Sequence, residues 1–338
     1  MPLRAGLLGV GMMGRHHARV LRELEGVELV AIADPAGDPH GVAGSLPILA
    51  GLDELLEVGI DMAVVAAPTR HHEEVALRLA SEGVHTLVEK PIANSSEGGR
   101  RMAAAFAAAG LVGAVGHIER FNPAIQELRR RLADGDLGAV YQIQTRRQGP
   151  FPARIADVGV AKDLASHDVD LTSWVAQSPY EFVFAQTMFK SGRAHEDMIA
   201  ITGRLANGVI VNHLVNWLSP MKERVAIVTG ERGAFVADTS TGDLTFFANG
   251  TIPLEWESVS SFRGVSEGDV TRFAFPKREP LRVELEAFRD SVLGLPTDVV
   301  TMEQGLATLD VVEAALDSAG RGDSVAVPTG SGEGAADL

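Results

Sequence analysis

Short apolar runs alternate with amphipathic segments along the first third of the chain. The runs are continuous, as expected for strands that are buried on both faces of a sheet. Strands that alternate with helices indicate a doubly wound parallel sheet, in which ligands bind at the carboxyl ends of the strands. The predicted strands are residues 3–8, 28–33, 62–67, 86–88 and 112–118, and the predicted helices are residues 12–24, 53–58, 72–81 and 96–109.

From about residue 119 the pattern predicts a different architecture. β-rich runs follow one another with hairpin signals, such as Asn207-Gly208 between two strand-like segments. The pattern predicts an α+β domain with an open, mostly antiparallel sheet and helices on one face. We therefore expect an N-terminal Rossmann domain over residues 1–120 and a second domain over 121–328. Residues 329–338 are rich in Gly, Ala and acidic residues, which predicts a disordered tail.

A glycine motif lies between the first predicted strand and the first predicted helix. Gly9-x-Gly11-x-x-Gly14 makes a tight turn and lets backbone N–H groups approach a pyrophosphate at the helix N-terminus. Asp34 ends the second strand 20 residues after Gly14, where a carboxylate would bind ribose hydroxyls. The strand–turn–helix–strand context favours a dinucleotide site over an accidental glycine-rich turn.

Composition and charge limit the classes of partner. The 338 residues carry a net charge of −15, which argues against nucleic acid or an anionic membrane surface. An anionic substrate would need a local cluster of Arg or Lys. The absence of cysteine excludes disulfides, thiolate metal sites and a cysteine nucleophile. No signal peptide precedes the first strand, and the apolar stretch 102–118 is short and broken by glycine, so we expect a cytoplasmic protein.

Two segments carry candidate catalytic side chains. Lys90, at a predicted strand end, could stabilise negative charge that develops on a hydroxyl oxygen, although Lys90 considered alone favours a solvated surface lysine. Asp163 and His167 are four residues apart and share one helix face. His167 could accept a hydroxyl proton, Asp163 could hold the substrate and Asp170 could orient the imidazole. The alternative is a capped helix with a charged face.

Three segments together resemble one family. GVGMMGRHHARV, EKP and KDLASHDVDL, in this order, are similar to the glucose–fructose oxidoreductase/inositol dehydrogenase (Gfo/Idh/MocA) family, and the resemblance covers residues 1–328. It implies that Lys90, Asp163 and His167 are catalytic. It also implies a Rossmann domain followed by an open-faced mixed sheet that commonly builds dimers or tetramers. Lys162 departs from the pattern, because relatives usually have an apolar residue there.

The glycine motif and the resemblance together predict NAD as the cofactor. Asp34 should repel a 2′-phosphate, and the next three residues include no arginine to receive one. No metal site is expected, because His71-His72-Glu73-Glu74 is typical of a helix start. The resemblance places a histidine at position 72 near the cofactor. The predicted cofactor-binding residues are Gly9, Gly11, Met12, Met13, Gly14, Asp34, Pro68, Thr69, His72, Glu89 and Lys90.

A narrower resemblance bears on the substrate. Residues 116–124, 146–154 and 264–269 are similar to the branch that contains UDP-N-acetylglucosamine 3-dehydrogenases. They include a basic set, Arg120, Arg146, Arg147 and Arg154, whose guanidinium groups suit phosphate. The alternative is that these arginines pair with the surplus carboxylates of the chain. The predicted substrate-binding residues are His117, Arg120, Asn122, Arg154, Asp163 and His167.

These observations predict an NAD-dependent dehydrogenase that oxidises a secondary hydroxyl of a sugar, with C3 of a UDP-N-acetylhexosamine favoured. The alternatives are an inositol, a free sugar or another nucleotide-sugar, the reverse reaction, NAD-dependent glycoside cleavage, and a non-catalytic NAD(H)-binding sensor. No nucleic acid or membrane partner is expected. We also expect a homodimer or homotetramer, formed through an apolar sheet face for which Phe182, Phe184, Val211 and Val215 are candidates.

Overall fold

The computed structural model describes residues 1–151, 158–250 and 266–328. The chain divides into two compact units. The first contains Met1–Phe121 and Glu279–Asp310, and the second contains Asn122–Arg278 and Val311–Leu338. Within the described ranges, no helix is both long enough and apolar enough to cross a membrane.

The first unit is built on a six-stranded parallel sheet of order β3-β2-β1-β4-β5-β6, which is the Rossmann order. Helices follow β1, β3, β4 and β5, and a loop without a helix joins β2 to β3. The elements are β1 (Leu3–Leu8), α1 (Met12–Glu23), β2 (Val27–Ala33), β3 (Ile48–Leu49), α2 (Leu52–Glu57), β4 (Met62–Val65), α3 (His72–Ser81), β5 (His85–Glu89), α4 (Ser96–Ala109) and β6 (Gly113–Gly116), with 3₁₀ turns at Thr69–His71 and Ile118–Phe121.

The helices of this unit begin and end where local chemistry directs them. Ser95 caps α4 by accepting a hydrogen bond from the Gly98 N–H, and Gly110 ends it in the left-handed conformation, with φ of 65°. The buried side of α1 carries His17, whereas His16 is exposed.

Residues 279–310 belong to the first unit, although the sequence analysis assigned them to the second domain. Helix α7 (Pro280–Val292) places Leu281, Leu285 and Phe288 in the core beside β1. Farther on, the Val300 carbonyl accepts a hydrogen bond from the Val115 N–H at 2.9 Å. The apolar stripe of α7 predicts that one face is buried, but its periodicity does not indicate which sheet buries it.

The second unit contains a nine-stranded sheet of order β14-β13-β12-β11-β7-β10-β9-β8-β15. Strands β7 and β10 pair in parallel and the other pairs are antiparallel, so the sheet is mixed. The elements are α5 (Pro123–Ala133), β7 (Val140–Pro150), a π-helical turn (Ala161–Ala165), α6 (Ser166–Ala176), β8 (Tyr180–Met188), β9 (Met198–Leu205), β10 (Ile210–Asn216), β11 (Leu218–Gly230), β12 (Gly233–Asp238), β13 (Asp243–Gly250), β14 (Ser266–Arg272), α8 (Met302–Arg321, shared with the first unit) and β15 (Val325–Ala326).

The two faces of this sheet differ. The inner face packs against α5, α6 and the end of α8, and Val211 and Val215 are fully buried in that core. The expectation that these two valines lie on an exposed face is therefore wrong, because side chains alternate along a strand and they share the buried side with His213. Phe182 and Phe184 are half-buried on the other face.

That outer face has an open concavity of about 550 Å³. Its lining side chains come from β7, β8, β9 and β10 and mix polar and apolar character. They include Gln144, Arg146, Phe184, Thr202, Asn212 and Leu214.

Candidate active site

The turn after β1 forms a backbone cradle at the N-terminus of α1. Gly9 has φ of +93°, and a Cβ there would lie 2.6 Å from the Ala66 carbonyl oxygen. A Cβ at Gly14 would lie 1.9 Å from the Gly9 carbonyl oxygen, so only glycine fits either position. A Cβ added at Gly11 would have no atom within 4 Å. Open space therefore remains beside the first N–H groups of α1.

Asp34 stands at the carboxyl end of β2, where the sequence analysis placed it. One carboxylate oxygen accepts a hydrogen bond from the Val10 N–H at 2.9 Å, and the other accepts one from the Ala36 N–H at 2.8 Å. The carboxylate is thus fixed beside the glycine turn. This cradle and the neighbouring acid fit a dinucleotide whose pyrophosphate lies at the helix N-terminus and whose ribose meets Asp34.

His72 joins the ends of two neighbouring strands. It is 1% exposed, and its ring nitrogens lie 2.9 Å from the Ala67 carbonyl oxygen and 3.0 Å from the Pro91 carbonyl oxygen. Burial lowers its pKa, and the neutral ring donates to one of these two carbonyls. Pro68 is exposed and Thr69 begins the 3₁₀ turn before α3, so this loop lies at the same end of the sheet as the glycine turn.

Lys90 follows β5 directly and is half-buried, with Glu89 buried beside it. One Glu89 oxygen lies 2.7 Å from Nε2 of His17, and the other accepts a hydrogen bond from the Lys90 N–H at 3.3 Å. Burial alone would raise the pKa of Glu89. The hydrogen bond with His17 and the nearby positive charge of Lys90 instead hold this pKa below its ordinary value.

In the second unit, Asp163 and His167 lie on one continuous helical segment. It begins with the π-helical turn that contains Asp163 and continues into α6, where His167 is 9% exposed. Single π turns are frequent at functional sites. Asp170, which the sequence analysis suggested as an orienting group, is 1% exposed on α6. The predicted pair therefore shares one helix, as its spacing indicated.

Glu196 holds the start of that segment, and the sequence analysis did not identify it. Its side chain accepts a hydrogen bond from the Ala161 N–H at 2.9 Å, and its carbonyl accepts one from the Val160 N–H at 3.1 Å. A Cβ at Gly159 would lie 2.0 Å from Oε1 of Glu196. Gly159 in the sequence signals a close approach, but the partner 35 residues away from Ala161 leaves no local pattern.

The residue after Glu196 fixes the loop itself. The Asp197 carboxylate accepts hydrogen bonds from the Lys190 and Ser191 N–H groups, the Ser191 hydroxyl and Arg193. These donors outweigh burial, so its pKa lies well below the ordinary value for an aspartate. Arg193 also lies over the rings of Phe151 and Trp217.

A buried polar network underlies α6. Nε of Arg147 donates to Asp168 at 3.1 Å, and both side chains are 3% exposed. Nearby, the ring nitrogens of His213 lie 2.8 Å from the Thr145 hydroxyl and 2.8 Å from the Tyr180 hydroxyl. Burial lowers the pKa of His213 to about 3. The His213 side chain thus lies in the sheet core.

Three arginines of the basic set contact acceptors within their own unit. Arg120 is 5% exposed and donates to Gln304 at 2.8 Å. Arg146 pairs with Glu223 at 2.8 Å on the outer sheet face, and Arg147 pairs with Asp168. These contacts match the alternative in which arginines pair with the chain's own acceptors. Arg154 lies outside the described residues.

Three further predicted residues can also be placed. His117 is 1% exposed just after β6. Asn122 caps α5 by accepting from the Ala124 N–H, and its amide donates to the Thr239 carbonyl at 2.9 Å. Lys162 lies 3.5 Å from Glu313 of α8, in the same unit. Among the described residues, no group of three or more His, Asp or Glu side chains is arranged to hold a metal ion.

Two family models match the chain. The oxidoreductase family model with an NAD-binding Rossmann fold matches residues 3–117, and the Gfo/Idh/MocA C-terminal domain model matches residues 125–236. The chain belongs to the Gfo/Idh/MocA family of NAD-binding oxidoreductases. It is an enzyme, and its cofactor is NAD, in agreement with the expectation from the glycine motif and Asp34.

Individual relatives carry different substrate names. The chain is 28% identical to a UDP-N-acetylglucosamine 3-dehydrogenase from Acidithiobacillus ferrooxidans over 86% of this chain and 88% of that protein. A crystal structure of that Acidithiobacillus enzyme has a TM-score of 0.80, with 94% of this chain and 96% of that chain covered and 25% identity. The chain is 31% identical to scyllo-inositol 2-dehydrogenase (NAD(+)) from Bacillus subtilis, over 51% of this chain and 54% of that protein.

Proposed function

We propose that this family member oxidises a secondary hydroxyl of a sugar, with C3 of a UDP-N-acetylhexosamine as the favoured position. The observation that carries the proposal is the set Lys90, Asp163 and His167, which the family resemblance makes catalytic. Lys90 follows β5 of the cofactor-binding unit, and the other two share one helix. A non-catalytic sensor would have no use for all three.

The chemistry follows from these side chains. NAD⁺ supplies the hydride acceptor. His167 removes the hydroxyl proton as a general base, since a neutral imidazole accepts a proton near neutral pH. Lys90 donates a hydrogen bond to the oxygen on which negative charge develops. Asp163 accepts hydrogen bonds from the sugar and orients it. Oxidation of the sugar CH–OH to a ketone would then transfer its proton to His167, and a bound NAD⁺ would accept its hydride.

Two substitutions test these roles. Lys90→Met should abolish turnover and leave NADH affinity nearly unchanged, because the turn proposed to hold the pyrophosphate is made of backbone groups between Gly9 and Gly14. His167→Asn should lower the rate by about 10²–10⁴-fold, the usual contribution of general base catalysis. Wild-type turnover in either variant at neutral pH would show that the role is misassigned.

The substrate proposal rests on the similarity to a UDP-N-acetylglucosamine 3-dehydrogenase, which covers 86% of this chain and 88% of that protein. Remote binding energy from a diphosphate could position the C3 hydroxyl beside His167. Since Arg120, Arg146 and Arg147 contact acceptors within the chain, they do not support a ready phosphate site. Among the four arginines, Arg154 is the one for which a phosphate contact remains proposed.

The engaged arginines favour a second candidate, an uncharged polyol such as an inositol. Wild-type protein should be assayed with NAD⁺ and a carbonyl trap on UDP-N-acetylglucosamine, free N-acetylglucosamine and myo-inositol. NADH and a trapped 3-keto product from the UDP-sugar, with far slower turnover of the free sugar, are expected. Rapid turnover of inositol alone would favour the polyol. NADH binding without turnover of any sugar would favour the sensor.

We also propose self-association through the outer face of the second-unit sheet. This face exposes apolar side chains around the concavity, including Phe184 and Leu214, and such faces usually meet a partner. Phe184→Asp should convert a homodimer or homotetramer to monomers in light scattering. Leu293→Asp, at an exposed leucine of the first unit, is the matched control. A monomeric wild-type mass at micromolar concentration would refute the proposal.

A further inference from the structure

A buried acid–base pair links the helix of the cofactor cradle to the strand that carries Lys90. His17 on α1 is fully buried, and its Nε2 lies 2.7 Å from Oε1 of Glu89, whose side chain is 10% exposed. A carboxylate removed from water in this way is costly unless it is paired and hydrogen-bonded. His17 is therefore the partner that keeps Glu89 ionised at the carboxyl end of β5.

The second oxygen of Glu89 holds the backbone of the catalytic residue. Oε2 accepts a hydrogen bond from the Lys90 N–H at 3.3 Å. On the neighbouring strand, Gly116 lies opposite Glu89, and a Cβ there would be 3.3 Å from the same oxygen. The carboxylate is thus bound to His17 of α1 and to the Lys90 backbone, in a space that the missing side chain of Gly116 leaves open.

Helix α1 also carries the cofactor cradle, and His17 lies three residues after Gly14. We propose that His17 and Glu89 form a positioning pair, which sets Lys90 relative to a cofactor bound at the N-terminus of α1. Neither residue touches the substrate in this proposal. The catalytic effect of the pair rests on the proposed function, whereas its effect on the placement of Lys90 does not.

Three variants separate the contributions of charge, hydrogen bond and shape. Glu89→Gln keeps the shape and removes the charge. His17→Leu removes the donor, and His17→Gln keeps an N–H that can reach Glu89. Glu97→Gln is the matched control, because Glu97 pairs with Arg101 on an exposed face of the same unit. Thermal unfolding identifies any variant that fails to fold, and Glu89→Gln and His17→Gln preserve the size of the buried groups.

Kinetics give the first readout. Since small misplacements of catalytic groups can cost up to about 10²-fold, Glu89→Gln and His17→Leu should lower kcat by about 10–100-fold with KM within about threefold. His17→Gln should restore most of the rate. In the double variant His17→Leu/Glu89→Gln, the loss should not exceed that of the worse single variant, as expected for coupled residues. Additive losses would overturn the proposal.

Labelling of lysine gives a readout that needs no sugar. Acetic anhydride acetylates accessible amines, and the extent at Lys90 is measured by mass spectrometry against the internal references Lys162, Lys190, Lys222 and Lys277. Relative acetylation of Lys90 should change at least about threefold in His17→Leu and Glu89→Gln, but not in Glu97→Gln. Wild-type labelling in both variants would overturn the positioning pair, whatever the substrate. Altered labelling in a protein that oxidises no sugar would uphold the pair and refute the proposed function.

Discussion

The two units hold their candidate functional groups in different ways. In the first unit the cofactor cradle is made by backbone groups between Gly9 and Gly14, all within one turn of chain. In the second unit the helix with Asp163 and His167 is held by side chains from distant positions, including Glu196 and Arg147. A site made of backbone is visible as a local motif, whereas a site supported by side chains becomes visible only in the fold.

Substitutions at the glycines of the cradle should have the largest effect. Gly14→Ala would place a Cβ 1.9 Å from the Gly9 carbonyl oxygen, which forces the turn apart. We expect the free energy of unfolding to fall by about 2–4 kcal/mol, in the range of strained or overpacked sites. Chemical denaturation of the cofactor-free protein measures this loss.

Gly11→Ala separates binding from stability in the same turn. Its Cβ meets no atom within 4 Å, so unfolding should change by no more than about 0.5 kcal/mol, while NADH affinity falls at least about tenfold. Gly51→Ala, which also meets no atom, is the control for both measurements. Equal NADH affinity in Gly11→Ala and the control would contradict the placement of the pyrophosphate.

The equivalent test in the second unit is Gly159→Ala. Its Cβ would lie 2.0 Å from Oε1 of Glu196 and displace the group that holds the start of the segment with Asp163 and His167. Turnover should fall by about 10–100-fold, or about 1.4–2.8 kcal/mol, with NADH affinity unchanged. Turnover and NADH titration of the purified variant measure the two effects.

A second substitution tests whether the contact between the new Cβ and the Glu196 carboxylate causes the loss of turnover. Gly159→Ala combined with Glu196→Ala should recover part of the rate, because the colliding carboxylate is gone. Glu181→Ala, which removes an exposed partner of Arg204, is the control. A loss of NADH affinity in Gly159→Ala would show that the segment does not act independently of the cofactor unit.

The Rossmann fold could be predicted from the sequence because its signals are local. Continuous apolar runs identified the buried strands, and the bounds predicted for α3 and α4 agree with the structure. The assignment of residues 279–310 could not be predicted, since an amphipathic helix shows that it is buried but not against which sheet. Val211 and Val215 were misplaced for a similar reason, because alternation defines two faces without stating which one the helices cover.

The site could be predicted in part. The spacing of Asp163 and His167 was sufficient to place them on one helix. The partners of the arginines could not be predicted from the sequence. Arg147 and Asp168 are 21 residues apart on different elements, and Arg120 donates to a residue 184 positions away. Proximity along the sequence grouped these arginines as one cluster, but it did not show that Arg120, Arg146 and Arg147 each pair with an acceptor elsewhere in their own unit.

Acid should destabilise the second unit through His213. Its pKa is about 3 in the folded protein and about 6.5 when unfolded, so the unfolded state binds the extra proton between these values. Stability from this residue is therefore present above pH 6.5 and is lost as the pH falls below it. Between pH 7 and pH 5 the loss is about 2 kcal/mol.

Chemical denaturation of wild type and His213→Gln at pH 7 and pH 5 measures the loss of stability that His213 causes. The variant cannot titrate at this position and should lose about 2 kcal/mol less than wild type over the same interval. His72 also has a pKa lowered by burial, but it lies in the first unit and contributes equally to both proteins. An identical pH dependence in the two proteins would mean that His213 is not buried in its neutral form.

The preference for NAD(H) over NADP(H) should be the smallest of these effects. It tests the charge of the Asp34 side chain rather than the shape of the glycine turn. The Asp34 carboxylate is held by the Val10 and Ala36 N–H groups, so its negative charge is fixed where a 2′-phosphate would lie. Wild type should prefer NADH to NADPH by at least about tenfold in Kd, or about 1.4 kcal/mol. Asp34→Asn keeps an oxygen for the Val10 N–H and should reduce the ratio of the Kd for NADPH to the Kd for NADH. Asp38→Asn is the control, because Asp38 also accepts hydrogen bonds from backbone N–H groups, and it should leave this ratio unchanged. Equal affinities of wild type for the two cofactors would show that the backbone cradle, rather than the side chain at its edge, determines all of the binding.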